Sequence, residues 1–123
     1  MMNHTDLGGQ GEEAAATYLK KYCHYTIIRR NYRTRIGEID IIAKDKDILV
    51  FVEVKTRRNE HCGRPSESVE RHKQWKLQRV ALTYLTQYAC WNRPCRFDVI
   101  EVFFQESSGF TLNHIRNAFI VSS

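Results

Sequence analysis

The sequence predicts an α/β domain, a mixed central sheet flanked by helices in the order helix, three strands, helix, two strands. Three observations predict it. Ile48, Val50, Val52 and Val54 alternate with Leu49, Phe51, Glu53 and Lys55, the period-two signature of a strand. Two other stretches, one near the N-terminus and one from Leu77 to Tyr88, repeat their apolar residues at helical spacing. Phe97 to Phe104 is apolar on nearly both sides, as a strand covered on both faces is. A three-stranded meander followed by a helical crossover gives a mixed sheet with helices packed on it. At 123 residues the chain is one domain, large enough to bury roughly two-thirds of its unfolded surface.

In chain order, Met1 to Gly8 reads as a loose leader, and a helix runs from about Gly9 to Tyr22 with Lys20 and Lys21 at its C-terminal end, where the helix dipole favours cations. Its core-facing stripe is Ala15, Ala16, Leu19 and Tyr22 or Cys23. Projected back one turn, the stripe reaches Glu12, whereas Glu13 falls with Thr17 and Lys20 on the solvent face. The free amides of a first turn favour an acid there, but they do not account for its direction. Tyr25 to Tyr32 is rich in β-branched and aromatic residues and reads as the first strand, with Tyr32 to Arg35 turning the chain. Glu38 to Ala43 is the second strand and Lys44 to Asp47 a hairpin turn into the third. Thr56 to Pro65 is a polar loop that reads as a mobile flap over the site. Ser66 or Ser68 then caps a long helix with apolar positions Leu77, Ala81, Tyr84 and Tyr88. After the Phe97 strand, Ser107-Ser108-Gly109 turns into a short strand, Phe110 to Ile115, ahead of an apolar end from Ala118 to Val121.

The hairpin carries charges where a buried strand should be apolar. A turn with an even number of residues sets even positions of the second strand opposite odd positions of the third, so Asp40 shares a face with Glu53 and Lys55. Two registers satisfy that parity, with Asp40 directly across from Glu53 or diagonal to it, at Cβ separations of roughly 5 Å or roughly 7 Å. Either lets two carboxylates grip one hard cation. Like charges on a half-buried face stay ionised only beside a counter-charge such as a metal or a nearby cation. The bland alternative is a solvated strand face with Glu and Lys in a polar ladder.

The charge is uneven. From Arg29 to Arg79 there are 14 Lys or Arg against 8 Asp or Glu, while the rest of the chain has 5 against 6. A basic surface around carboxylates suits a polyanion that must approach a bound metal, and nucleic acid fits that description. Lys73, Lys76 and Arg79 in the long helix are suited to phosphate contact or to plain solvation. No apolar run is long enough for a membrane span and no signal peptide is recognisable, so a cytoplasmic protein without membrane partners is expected. Cys23, Cys62, Cys90 and Cys95 lack paired spacing and read as free thiols, and a zinc site from His61, Cys62, Cys90 and Cys95 matches no common structural pattern.

Gly11-Glu12-Glu13, Gly37-Glu38-Ile39-Asp40 and Phe51-Val52-Glu53-Val54-Lys55-Thr56-Arg57 resemble the YraN family of small bacterial proteins. So do Gly63, Pro65, Lys73-Gln74, Arg96-Phe97-Asp98-Val99 and Asn117-Ala118-Phe119, so the resemblance covers nearly the whole chain. That family is similar to the PD-(D/E)XK nucleases, archaeal Holliday junction resolvases in particular. The resemblance implies a restriction-endonuclease-like core over residues 1–123, with Asp40 as the motif Asp, Glu53 and Lys55 as the (D/E)XK pair and Glu12 as the acid on the first helix. Ile39 stands where the motif's name has Pro.

What the resemblance implies is an endonuclease that hydrolyses phosphodiester bonds of DNA, branched or otherwise structured DNA included, with Mg²⁺ or Mn²⁺. Asp40, Glu53 and the Val54 backbone carbonyl would hold the ion, with Glu12 acting through a water or on a second ion. Lys55 would orient the attacking water or stabilise developing charge. Arg57, Arg58, Arg64, Lys73 and Lys76 would position the nucleic-acid backbone without reading sequence. A homodimer would suit cleavage of paired strands. The alternative is a nucleic-acid-binding protein that keeps the nuclease fold and does not cut.

Overall fold

Five strands form one sheet in their chain order, β1-β2-β3-β4-β5. The computed structural model describes residues 6–57, 70–105 and 109–119. Its elements are α1 (Asp6–Lys21), β1 (Thr26–Arg33), β2 (Glu38–Asp45), β3 (Ile48–Arg57), α2 (Arg71–Gln87), β4 (Cys95–Gln105) and β5 (Gly109–Phe119). Neighbouring strands are antiparallel except β3 and β4, which run parallel on either side of the α2 crossover. The mixed sheet and the element order are those the sequence predicts.

Because successive side chains of a strand point to opposite faces, the sheet is buried on both. Ala15, Ala16 and Leu19 of α1 pack on Ile41, Ala43, Val50, Val52, Ile100 and Val102. Leu77, Val80, Ala81 and Tyr84 of α2 pack on Ile42, Leu49, Phe51, Phe97 and Val99 from the other side. One helix on each face makes three layers, with β3 at the centre of the sheet.

Several boundaries differ from expectation. Helix α1 starts at Asp6, three positions before Gly9, and Cys23 packs on the core while Tyr22 is exposed. β1 runs on to Arg33, and the turn lies at 34–37, where Thr34 closes it by donating to the Gly37 carbonyl and accepting from the Ile36 N–H. Strands β2 and β3 continue to Asp45 and Ile48, which narrows the hairpin turn to Lys46-Asp47, with Lys46 in the left-handed region at φ 56°. β3 takes in Thr56 and Arg57; the rest of the expected flap, with Arg58, Gly63, Arg64 and Pro65, lies outside the described residues. So do Ser66 and Ser68, and α2 begins at Arg71 behind Glu70, which makes no side-chain cap. Tyr88, read as part of that helix's apolar stripe, follows its last residue and is exposed; Val80 takes the buried place. The short last strand runs on through Ala118 and Phe119 as β5, because its pairing with β4 resumes beyond an irregularity at Asn117; Ile120 and Val121 of the expected apolar end lie outside the described residues. No helix among the described residues is long and apolar enough to cross a membrane.

Candidate active site

The two-residue hairpin turn fixes the register of β2 against β3. Asp45 pairs with Ile48, Ala43 with Val50 and Ile41 with Val52, so the next positions are Asp40 and Glu53, the directly opposed of the two registers. Regular pairing ends at Ile41, and the Val54 N–H beyond it donates to Asp40 Oδ2 at 2.8 Å. A side chain thus replaces the strand carbonyl as acceptor. In an extended strand the carbonyl of a residue points to the same side as its N–H, so that of Val54 also faces β2.

Asp40 and Glu53 are both buried and line a cavity of about 540 Å³ between the end of this hairpin and the N-terminal turns of the two helices. Glu12 lines it from α1. Its placement depends on Gly11, where a Cβ would collide with the Thr56 hydroxyl, so only glycine lets the helix approach β3 this closely. Glu38, Glu70, His72, Lys73 and Lys76 complete the polar lining. Five carboxylates against two lysines make the cavity attractive to a cation.

Burial pushes the Asp40 carboxyl up to about 7, and the neighbouring charge of Glu53 adds to the shift against the opposing hydrogen bond from Val54. Burial also raises Glu12, partly offset by the charge of Arg30. Lys73 of α2 forms an ion pair with Glu53 Oε2. Burial would lower its ammonium, but the hydrogen bond and charge of Glu53, with the charge of Asp40, outweigh that and raise it.

Among the described residues, no three carboxylate, imidazole or thiol groups stand close enough to hold a metal ion between them. What the site offers is a facing pair of hard oxygen donors short of positive charge. That suits Mg²⁺ or Mn²⁺, which takes one or two carboxylates and fills the rest of its shell with water or phosphate oxygens. A zinc site with His61 and Cys62 falls outside the described residues; Cys23, Cys90 and Cys95 are free thiols.

The structure brings Glu12, Asp40, Glu53, Val54, Lys73 and Lys76 together around one cavity. Lys55 does not line it: it sits opposite Glu101 in the β3–β4 register. The Arg57 side chain is directed to that acid, with its Nη2 3.8 Å from Glu101 Oε2. Arg58 and Arg64 lie outside the described residues. Sequence reasoning assigned Lys73 to phosphates and missed its pairing with Glu53. The signal available was helical phase, since Lys73 is one turn before the buried Leu77 and so faces the sheet.

The class that fold and site define is a small three-layer α/β domain with an acid-lined cavity where its central hairpin opens. Residues 11–102 match the model of Uncharacterised protein family UPF0102. A UPF0102 protein of Geotalea uraniireducens is 44% identical over 117 residues, 95% of this chain and 91% of that one. One of Caldicellulosiruptor saccharolyticus is 45% identical over 119 residues, 96% of this chain and all of the relative. One of Desulfosudis oleivorans is 52% identical over 112 residues, 91% and 88% of the two chains. The chain belongs to the UPF0102 family, the YraN type that its motifs resemble.

Proposed function

We propose that the protein is a PD-(D/E)XK-type endonuclease that hydrolyses phosphodiester bonds of DNA, branched or otherwise structured DNA included, with Mg²⁺ or Mn²⁺. The observation that carries this reading is the opposition of Asp40 and Glu53 in an acid-lined cavity, set by a two-residue hairpin turn. Asp40, Glu53 and the Val54 carbonyl would hold the ion, and Glu12 would reach it through a water. Once bound, it supplies positive charge against the attacked phosphate and makes a nearby water more acidic. Asp40 is anchored by the Val54 N–H, which donates to its Oδ2 and fixes the carboxylate at the cavity. Lys73 and Lys76 supply cationic charge at the α2 wall, where a phosphate backbone would enter. Lys55, two residues along β3 from Glu53 but not among the cavity's lining residues, is proposed as the group that orients the water.

The test is metal-dependent cleavage of a panel of single-stranded, duplex, flap and four-way DNA. Cleavage should require Mg²⁺ or Mn²⁺ and vanish in Asp40→Asn and Glu53→Gln variants that still fold; unaltered cleavage in either would remove the pair from the chemistry. Lys55→Ala should keep metal binding and lose rate. DNA binding should be independent of sequence and weaken steeply with salt, because phosphates carry it. A flat salt response removes nucleic acid as the substrate. Two sites in a homodimer would suit paired strands, which light scattering of the protein with and without DNA tests.

One observation favours a second reading, a nucleic-acid-binding protein that does not cut. Lys73 already supplies Glu53 with a cation, so the carboxylates are partly compensated without metal. Salt-sensitive DNA binding with no cleavage under any metal would select it.

A further inference from the structure

We infer that Lys73 is a positioning residue that occupies Glu53 in place of a divalent cation and must give that carboxylate up before the ion can bind. The inference rests on the metal-dependent reading above. The two partners are unequally held. The Glu53 carboxylate is 8% exposed and fixed on the central strand, while the Lys73 side chain is 52% exposed on a helix whose first residue is Arg71. The acid therefore stays, and the flexible four-carbon stem of the lysine is what moves. An ammonium and a divalent ion on the same oxygen repel each other, so the two states exclude one another. Each equivalent of metal must first break the pair, and the apparent affinity falls by the fraction of molecules in which it is closed. Lys76, one turn further along α2, lines the same cavity and has no ion pair to either carboxylate among the described residues. It is therefore a matched control for charge alone. Once displaced, the Lys73 ammonium remains at the cavity wall, where it adds positive charge for a substrate phosphate.

The experiment is titration of the full-length metal-free protein with Mn²⁺, followed by electron paramagnetic resonance, with thermal unfolding measured with and without the ion. Lys73→Met should bind Mn²⁺ about tenfold more tightly than the parent protein and show a larger rise in Tm on adding metal. Lys76→Met should tighten binding only about twofold, through loss of distant charge. Lys73→Arg, which keeps a cation on Glu53, should stay near the parent value. If the parent binds Mn²⁺ but Lys73→Met binds no tighter, or only as much tighter as Lys76→Met, the displacement is wrong and the metal-dependent reading stands. If neither the parent nor Lys73→Met binds Mn²⁺ at millimolar concentration, both fall together.

Discussion

Two buried aspartates on neighbouring parts of one sheet have opposite surroundings. Asp40 is 8% exposed and Asp98 1% exposed, so burial alone does not separate them. Burial acts to raise Asp98 as well, but hydrogen bonds from His114, from Arg96 and from the Asn117 N–H outweigh it and hold the carboxyl below its ordinary range. Arg96 bridges Asp98 to Asp45 and donates to the Tyr25 hydroxyl, while His114 Nδ1 lies 3.0 Å from the Tyr18 hydroxyl. Charge and hydrogen bonds around Asp98 are thus matched across β2, β4, β5 and α1. Around Asp40, one N–H donates, two acids, Glu53 and Glu12, push it up, and the nearby Lys73 ammonium is paired with Glu53. A buried acid with all its partners in place ties elements together, whereas one beside other acids in an open cavity waits for something from outside.

The sharpest way to break this comparison is to remove each acid. Asp98→Ala leaves Arg96, His114 and the Asn117 N–H facing an empty carboxylate site, and should cost about 3–5 kcal/mol in urea unfolding or prevent folding. Asp40→Asn should cost nothing in metal-free buffer at neutral pH and should gain stability there by relieving carboxylate repulsion and desolvation. Equal losses would make both acids structural.

The pH dependence should run in opposite directions at the two sites. Asp98 is depressed in the folded state, so its stabilisation is present above the unfolded pKa of about 4 and is lost as pH falls through its folded value. Asp40 is raised to about 7, so its contribution is fully present below about 4 and is gone once pH has risen through 7. Relative to Asp40→Asn, the metal-free protein should lose stability over that interval by up to about 1.4 kcal/mol per pH unit, and Mg²⁺ should flatten the difference. Unfolding curves at pH 4, 5.5, 7 and 8.5 for the two proteins measure this. A difference that does not change with pH would mean that Asp40 takes up its proton alike in the folded and unfolded chain.

The smallest expected stability effects separate Glu12 from Glu13. Glu13 is exposed and pairs with Arg30 at 2.7 Å, while Glu12 lines the cavity. Because α1 starts at Asp6, both acids lie in the second turn and not in the first as the sequence suggests, and both should change stability little on replacement by Gln. Only Glu12→Gln should reduce metal-dependent turnover, and equal activities at saturating Mg²⁺ would remove Glu12 from the site.

What was legible in the sequence was what depends on local period. The α1 stripe separated Glu12 from Glu13, and turn parity placed Asp40 beside Glu53. What was not legible depends on which distant segments meet. Asp98 sits in an apolar run that reads as plain core, and its partners come from β5, from its own strand and, through Arg96, from the end of β2. Glu101, fully buried opposite Lys55 and accepting from Asn113 at 2.9 Å, is likewise invisible until β3, β4 and β5 are paired. The start of α2 was misplaced because nothing in the helical period marks the first turn, and a Ser upstream is a stronger cap than Glu70.

The separation of these contacts along the chain has a consequence for folding. Asp40 and Val54 are 14 positions apart, whereas Arg96 and Asp45 are 51 apart and Tyr18 and His114 are 96 apart. Short loops close at less entropic cost and hairpins form within microseconds, so the β2–β3 turn assembles before the strands around Asp98 are in place. The two site carboxylates are therefore pressed together while the helix carrying Lys73 is still undocked. Repulsion between them weighs on the folding rate, and substitutions that relieve it should accelerate refolding, while damage at Asp98 should mainly hasten unfolding.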